Sequence, residues 1–411
     1  MSAIFINRVV RVLAGTLGAQ LITVGVTLLL VRLYTPAEMG EFSAWLSFAT
    51  IFAVMVTGRY EVAIFSTKEA GDFQAVIKLV VLLTVSVSIL IGGGLVLVTP
   101  FMESLPSVVS DYWLGLAVVS LGLGANKLVL SLLTYQQSFN RLGGARVSLA
   151  ACIAISQVSA SYLVGGVAGL IYGQLFGVMV ATALAAIWVG KPLIAASAAV
   201  SWNSVRKSAV KYINFPKFSL PADLINTVAS QIPVVLLAAK FGGESAGWFA
   251  LTLKIMGAPI SLLAASVLDV FKEQAARDYR DKGSCRIIFV KTFKLLALLA
   301  LPPFVAFWFV GEWAFGFIFG DAWAESGRYA VLMIPLFYMR FVVSPLSYTI
   351  YIAQRQNLDL AWQMTLLTLT FACFTLPSTV DMVLWLYSIG YAAMYFIYFW
   401  MSFYCTKGDA K

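Results

Sequence analysis

Arg59, Glu61, Lys127, Asp223, Lys254 and Arg340 are full charges set inside apolar runs of this chain. A charge near the centre of a bilayer costs roughly 2.5–3.5 kcal/mol, so such residues as a rule face a cavity or a partner. The basic members outnumber the acidic ones, and an interior with that bias suits an anion. At about 5 Å a cation contributes roughly 3 kcal/mol toward a phosphate at an effective dielectric near 20. Summed over a few contacts this holds a diphosphate, while each contact stays weak enough to release it. Arg59, Lys127, Lys254 and Arg340 are thus the candidate diphosphate-binding residues, and a structural ion pair is the competing reading of each. Glu61 and Asp223 are the only clear acids within the apolar runs and the candidates for coupling to an ion. In "TGRYEVAIF" Arg59 and Glu61 are two residues apart, about 200° around a helix, so they are not expected to pair along it. One arrangement turns Arg59 inward and leaves Glu61 to a neighbouring helix or the cytoplasmic surface; the reverse is equally open.

Other chemistry lacks its tools. The chain contains no histidine, which removes Ser-His catalysis, the commonest metal ligand and a histidine proton switch together. Cys152, Cys285, Cys373 and Cys405 share no ligand spacing and read as small apolar fillers. No enzyme, metal or cofactor is expected.

The elements that carry the charges are membrane helices. Of 411 residues, 61% are hydrophobic and 11% charged, against about 25% charged in a soluble domain, and the mean hydropathy is +0.89. Runs long enough to cross a bilayer fall near 10–31, 42–64, 78–99, 112–133, 146–164, 166–189, 216–239, 246–268, 291–311, 328–350, 360–377 and 382–403. Backbone groups in lipid bond internally, so each is a helix. An all-α polytopic membrane protein of about twelve transmembrane helices is expected. Its first helix reads as a retained signal anchor, without a cleavage site. Apart from Arg32, Lys240 and Arg328 outside and the four cations within spans, the Lys and Arg residues all fall on one side when the N-terminus is inside. The positive-inside rule then puts both termini in the cytoplasm. The basic linkers "SWNSVRKSAVKYINFPK" and "DVFKEQAARDYRDKGSCRIIFVK" read as topology signals that also attract anionic lipid, not as nucleic-acid sites.

Polar residues repeat between the two halves. Thr16, Gln20, Thr23 and Thr27 share a helix face, and Ser219, Asp223, Asn226 and Ser230 step identically. "TPAEMGEF" matches "GGESAGWF", and Lys127, Ser131 and Thr134 match Arg340, Ser344 and Ser347. The pattern divides the chain into an N-terminal six-helix lobe (1–190), a basic cytoplasmic linker (191–215) and a C-terminal six-helix lobe (216–411). An even number per half makes this a parallel pseudo-repeat, with a central cavity expected between the lobes. Gln20, Asn226, Ser131 and Ser344 are candidate polar lumen lining; ordinary helix packing through Ser and Thr is the alternative.

With these residues in view, the chain resembles the Wzx-type polysaccharide and O-antigen flippases of the multidrug/oligosaccharidyl-lipid/polysaccharide exporter superfamily. The resemblance rests on "LYTPAEMGEFSAWLS" before "TGRYEVAIF", on "FPKFSLPADLINTVASQIPVVLLAAKFG" and "AGWFALTLKIMGAPISLLAASVLDVF", and on "FIFGDAW" before "MRFVVSPLSYTIYIAQRQ". It implies two lobes that rock by alternating access in a bacterial inner membrane. It further implies an undecaprenyl-diphosphate-linked oligosaccharide as cargo, and a polysaccharide polymerase and chain-length regulator as partners. Members are thought to line the lumen with basic residues; Arg59, Lys127, Lys254 and Arg340 fit that pattern. A drug exporter of the same superfamily would want an acidic, aromatic cavity. A glycan polymerase would want a large outer loop with an acid/base pair, and a scaffold has little reason to keep Arg340 charged.

Overall fold

A computed structural model describes residues 3–67, 69–98, 106–190 and 199–407. The segment 191–198 of the expected linker and 99–105 of an outer connection lie outside the described residues. Every regular element among those described is helical. Nine helices are long and apolar enough to cross a membrane, or up to eleven if each of two bent pairs is one span. The protein is an all-α, multi-pass membrane protein.

The chain divides into two compact units, Met1–Gly247 and Trp248–Lys411. The helix expected to open the second half, 216–239, is thus grouped with the first unit. That unit holds α1 (Ala3–Leu33), α2 (Pro36–Met55), the short α3 (Tyr60–Ala63), α4 (Ala70–Val98), α5 (Ser107–Asp111), α6 (Trp113–Tyr135), α7 (Phe139–Leu163), α8 (Gly166–Val189) and α9 (Trp202–Lys211). It ends within the long α10 (Leu220–Lys282). Helix α7 packs on α1 and α8, and α6 on α2, α4 and α8. Of the basic linker, α9 lies against α4, tied by an ion pair between Lys211 and Asp72. Beside it Lys78 Nζ donates to the Val200 carbonyl at 2.7 Å.

Local chemistry sets where α2 begins. Thr35 is its N-cap and Pro36 its first residue. The Thr35 N–H donates to Glu38 Oε2 at 2.7 Å, and the Glu38 N–H donates back to Thr35 Oγ1 at 3.3 Å, a capping box that satisfies donors a helix start leaves open. The start is also the tightest crossing in the unit. A methyl group on Gly40 would lie 1.7 Å from the Gly243 carbonyl oxygen, and one on Gly247 would lie 1.9 Å from the Pro36 oxygen. Only glycine allows backbones to meet this closely, as small residues do between membrane helices. Gly40 and Gly247 are the glycines matched between the repeated turns, and they sit at the same crossing.

Helix α10 is 63 residues long, but Gly242 breaks it with non-helical φ 86°, ψ 172°. The apolar stretch Phe215–Ile260 is therefore two arms, an angle open to Gly and strained for other residues.

The second unit continues from Trp248 through α11 (Arg286–Phe319), α12 (Ala324–Leu332), α13 (Ile334–Val343), α14 (Tyr348–Ile352), α15 (Gln356–Thr375) and α16 (Val380–Tyr404). Helix α11 packs on α12 and α13, and α16 on α13 and α15. The Trp248 indole donates to the Ala322 carbonyl at 2.8 Å and Thr252 Oγ1 to Ser326 O at 2.7 Å, which fixes the second arm of α10 against the turn before α12. Asp321–Leu332 and Ile334–Ile352 meet at a 55° bend. Arg328 clamps α12 to the start of α16, its Nη1 and Nη2 reaching Asp381 at 2.9 and 2.8 Å.

Candidate functional site

The first unit gathers Arg59, Glu61, Lys127 and Asp223 at one break. Helix α2 stops at Met55, and Gly58 and Arg59 both take left-handed backbone angles, φ 58° and 62°. For arginine that conformation costs roughly 1–2 kcal/mol. The chain resumes as α3, bent 46° from α2. The left-handed step overturns the expectation that Arg59 and Glu61 cannot meet, because the 200° separation holds only along an unbroken helix. Arg59 Nη1 lies 3.7 Å from Glu61 Oε1 and 3.1 Å from Asp223 Oδ2. Glu61 is buried, while Arg59 and Asp223 are about a quarter exposed.

The same break explains Lys127. Carbonyls in the last turn of a helix run out of intrahelical donors and attract cations. Lys127, on α6, donates from Nζ to the Ala53 carbonyl at 3.1 Å, and the charges acting on it are Glu61, Asp223 and Arg59. Two cations thus stand against two carboxylates, and the group is formally neutral. One guanidinium is shared by two carboxylates, so protonating either still leaves Arg59 a partner. Thr57 Oγ1, Arg59 Nε and Glu61 Oε2 are buried there with no hydrogen-bond partner among the described residues.

The cations of the second unit stand differently. Lys254, on α10, is half-buried, and Arg340, on α13, is exposed. Neither has a hydrogen-bond or ion-pair partner among the described residues. The Arg340 charge acts on Tyr387 and Tyr395 of α16, two members of a buried row with Tyr391 and Tyr398.

The polar stripes are mixed. Gln20 is half-buried and Asn226 exposed, one turn beyond Asp223. Thr16 of the Gln20 stripe accepts a hydrogen bond from Arg146 of α7, so that end packs within the unit. Ser131 is half-buried on α6. Ser344 caps α13 with α-helical angles, φ −54° and ψ −44°, and its N–H donates to the Arg340 carbonyl, so it stays one turn beyond Arg340; from there Ser344–Ser347 tightens into a 3₁₀ turn. Pro345 supplies no N–H and favours that change. Ser347 Oγ donates to the Ser344 carbonyl at 2.8 Å.

One acid was missed. Asp359, on α15, is 6% exposed. It accepts hydrogen bonds from Tyr351 Oη at 2.7 Å, from Gln363 Nε2 at 2.9 Å and from Tyr398 Oη, with no basic partner among the described residues. Trp362 stacks on Tyr398 with ring centres 4.1 Å apart. Glu61 and Asp223 are therefore not the only acids inside the apolar helices. The signal available was a lone Asp at the edge of a run that already held tyrosines.

Comparison with known proteins agrees with this architecture. The model of a family described as "Polysaccharide biosynthesis protein" matches residues 29–328. The chain is 22% identical over 200 residues to the teichuronic acid biosynthesis protein TuaB of Bacillus subtilis (strain 168). That match covers 48% of this chain and 41% of TuaB, so well under half of the relative's length is matched. Among solved structures, the lipid II flippase MurJ in an inward closed conformation superposes with a TM-score of 0.73 at 12% identity, covering 94% of this chain and 86% of that one. An inward-facing multidrug resistance MATE family transporter of the MOP superfamily gives 0.66 at 12% identity, covering 96% and 92%. At such identities the likeness is one of fold.

Proposed function

Because the chain belongs to the polysaccharide biosynthesis protein family, we propose that it is a flippase for a surface-polysaccharide repeat unit. The cargo is an undecaprenyl-diphosphate-linked oligosaccharide, O-antigen, capsule or a similar unit, moved from the cytoplasmic to the outer leaflet. The observation that carries the reading is the imbalance between the units. Arg59 and Lys127 are neutralised by Glu61 and Asp223, whereas among the described residues Lys254 and Arg340 have no carboxylate partner. Uncompensated cations inside apolar helices suit an anionic head group, and a cation exporter has no use for them.

The rest of the mechanism follows from that reading. The lobes 1–190 and 216–411, joined by the linker 191–215, rock by alternating access around a central cavity, with Gln20, Asn226, Ser131 and Ser344 along the polar path. Both termini lie in the cytoplasm, in a bacterial inner membrane. Glu61 and Asp223, which share Arg59, are the groups through which an ion gradient acts. The work is transport and not catalysis. A polysaccharide polymerase and a chain-length regulator receive the cargo outside. A fold shared with a named lipid II flippase supports the reading.

The test is transport in vesicles containing only this protein and the oligosaccharide on its polyprenyl diphosphate, with exposure of the sugar to an external lectin as the readout. Protein-dependent exposure is expected. Export of a cationic dye with no movement of the glycolipid would overturn the reading in favour of a drug exporter.

A further inference from the structure

Helix α9 belongs to the connection between two spans. Helix α8 ends at Val189 and the next apolar stretch begins at Phe215, so α9 lies at the level where the apolar helices give way to water. One face is built into the first unit. Val205 and Ser208 are buried, as is Tyr212 at its end, and Ser208 Oγ and Lys211 Nζ both donate to Asp72 near the start of α4. Another face is left open. Trp202, Arg206 and Val210 follow at four-residue steps and Ile213 three residues on, so the four share one side of the helix. Trp202 is 67% exposed, Val210 66% and Ile213 50%. Arg206 is exposed on this stripe and Lys207 beside it, and neither cation has an ion-pair or hydrogen-bond partner among the described residues.

An open apolar stripe with a tryptophan at one end and cations along it is the pattern of a helix that lies in a membrane surface. The apolar groups reach the acyl boundary, while the long basic side chains extend to the phosphates. Tryptophan favours that depth because its ring is apolar and its N–H still needs a partner. The place of α9 at the end of the spans brings that surface within reach, and its free positive charge selects an anionic one. The helix is also strapped to the break that holds Arg59. Tyr60, the residue after Arg59, is 5% exposed, and its Oη donates to the Ala209 carbonyl at 2.8 Å. That carbonyl belongs to the last turn of α9, where intrahelical donors run out.

We propose that α9 docks by this stripe on an anionic leaflet, and that the docked helix steadies α3, and with it Arg59, through the Tyr60 hydroxyl. The inference goes beyond the function proposed above and stands whatever the cargo. Trp202, Val210 and Ile213 supply the apolar contact, and Arg206 and Lys207 choose the lipid charge. Lys211 is left out of the recognition, because Asp72 already answers it.

The experiment is hydrogen–deuterium exchange of the full chain in nanodiscs of phosphatidylcholine alone and of phosphatidylcholine with phosphatidylglycerol. Phosphatidylglycerol is expected to slow exchange of the α9 amides about tenfold, the combined effect of two cations at an anionic surface, and that of the α3 amides by a smaller factor. Arg206→Gln with Lys207→Gln, both at exposed positions, should remove the two effects together, and Trp202→Ser should reduce them. Tyr60→Phe should keep the protection of α9 and lose that of α3. Should that buried substitution fold poorly, the wild-type protein still reads both halves of the proposal. Equal α9 exchange in the two lipids would overturn the docking. So would a phosphatidylglycerol effect that survives intact without both cations or without Trp202. Protection of α9 with no change in α3 would overturn the strap.

Discussion

Arg59 and Asp223 are bound across 164 positions of sequence by a 3.1 Å contact, with Glu61 on the same guanidinium at 3.7 Å. Removing the arginine leaves Glu61, 3% exposed, with Lys127 as the remaining nearby cation among the described residues. A buried charge stripped of its partner costs roughly 3–5 kcal/mol, whereas removing both partners is often near neutral. Arg59→Met is therefore expected to lower the melting temperature of the purified protein sharply, and Arg59→Met with Glu61→Gln to recover most of the loss. Asp223→Asn, at a quarter-exposed site, should cost about 1 kcal/mol or less. A double-mutant cycle by thermal unfolding reads all three, and additive losses would mean that the pair carries no coupling.

At the α2 crossing the expected effect is steric. Gly40→Ala would place a methyl carbon 1.7 Å from the Gly243 carbonyl oxygen, where neither backbone can yield without shifting a helix. Little folded, monodisperse protein should be recovered by fluorescence-detected size exclusion. Gly93→Ala, with nothing within 4 Å of the added methyl, should leave the yield unchanged or slightly raise it.

The helices were legible because lipid imposes a length and an apolarity that show directly in the sequence. Their ends were less so. The run near 78–99 is helix Ala70–Val98, since Asp72 and Phe73 continue the helix past the lipid-facing stretch; an apolar run marks where the chain is greasy, not where hydrogen bonding stops. The gathering of Arg59 with Glu61 and Asp223 was hidden because it depends on two consecutive left-handed residues, one of them an arginine. Periodicity assumes a continuous helix, so it misplaced Glu61 relative to Arg59. Asp359 was passed over for a different reason: its partners Tyr351, Gln363 and Tyr398 are neutral, and Tyr398 comes from another helix.

For Asp359 the two obvious substitutions should part company. Asp359→Leu strands two tyrosine hydroxyls and an amide in the interior, each unmet group costing roughly 1–3 kcal/mol, and should destabilise the protein strongly. Asp359→Asn keeps an acceptor oxygen for these donors and should retain most of the stability. Thermal unfolding of the two variants in the same detergent is the measurement. Equal losses would show that the negative charge, and not the accepted hydrogen bonds, holds this corner of α15 and α16.

Arg340 and Lys254 should behave in the opposite way to Arg59. Among the described residues no carboxylate depends on either, so Arg340→Ala and Lys254→Ala leave no described acid buried and unpaired, and each should reach the membrane at wild-type level with an unchanged melting temperature. What should fall is delivery of glycan to the cell surface, with lipid-linked oligosaccharide accumulating inside. Each contact to a phosphate is about 3 kcal/mol before solvent screening, so a loss of tenfold or more is expected from either change. Arg340→Lys, which keeps the charge but loses the planar fork, should retain part of the activity. Quantifying surface polysaccharide and protein level in the same cells separates the cases. Normal glycan in the alanine variants would remove both cations from the transport path, and a matching fall in protein level would make them structural.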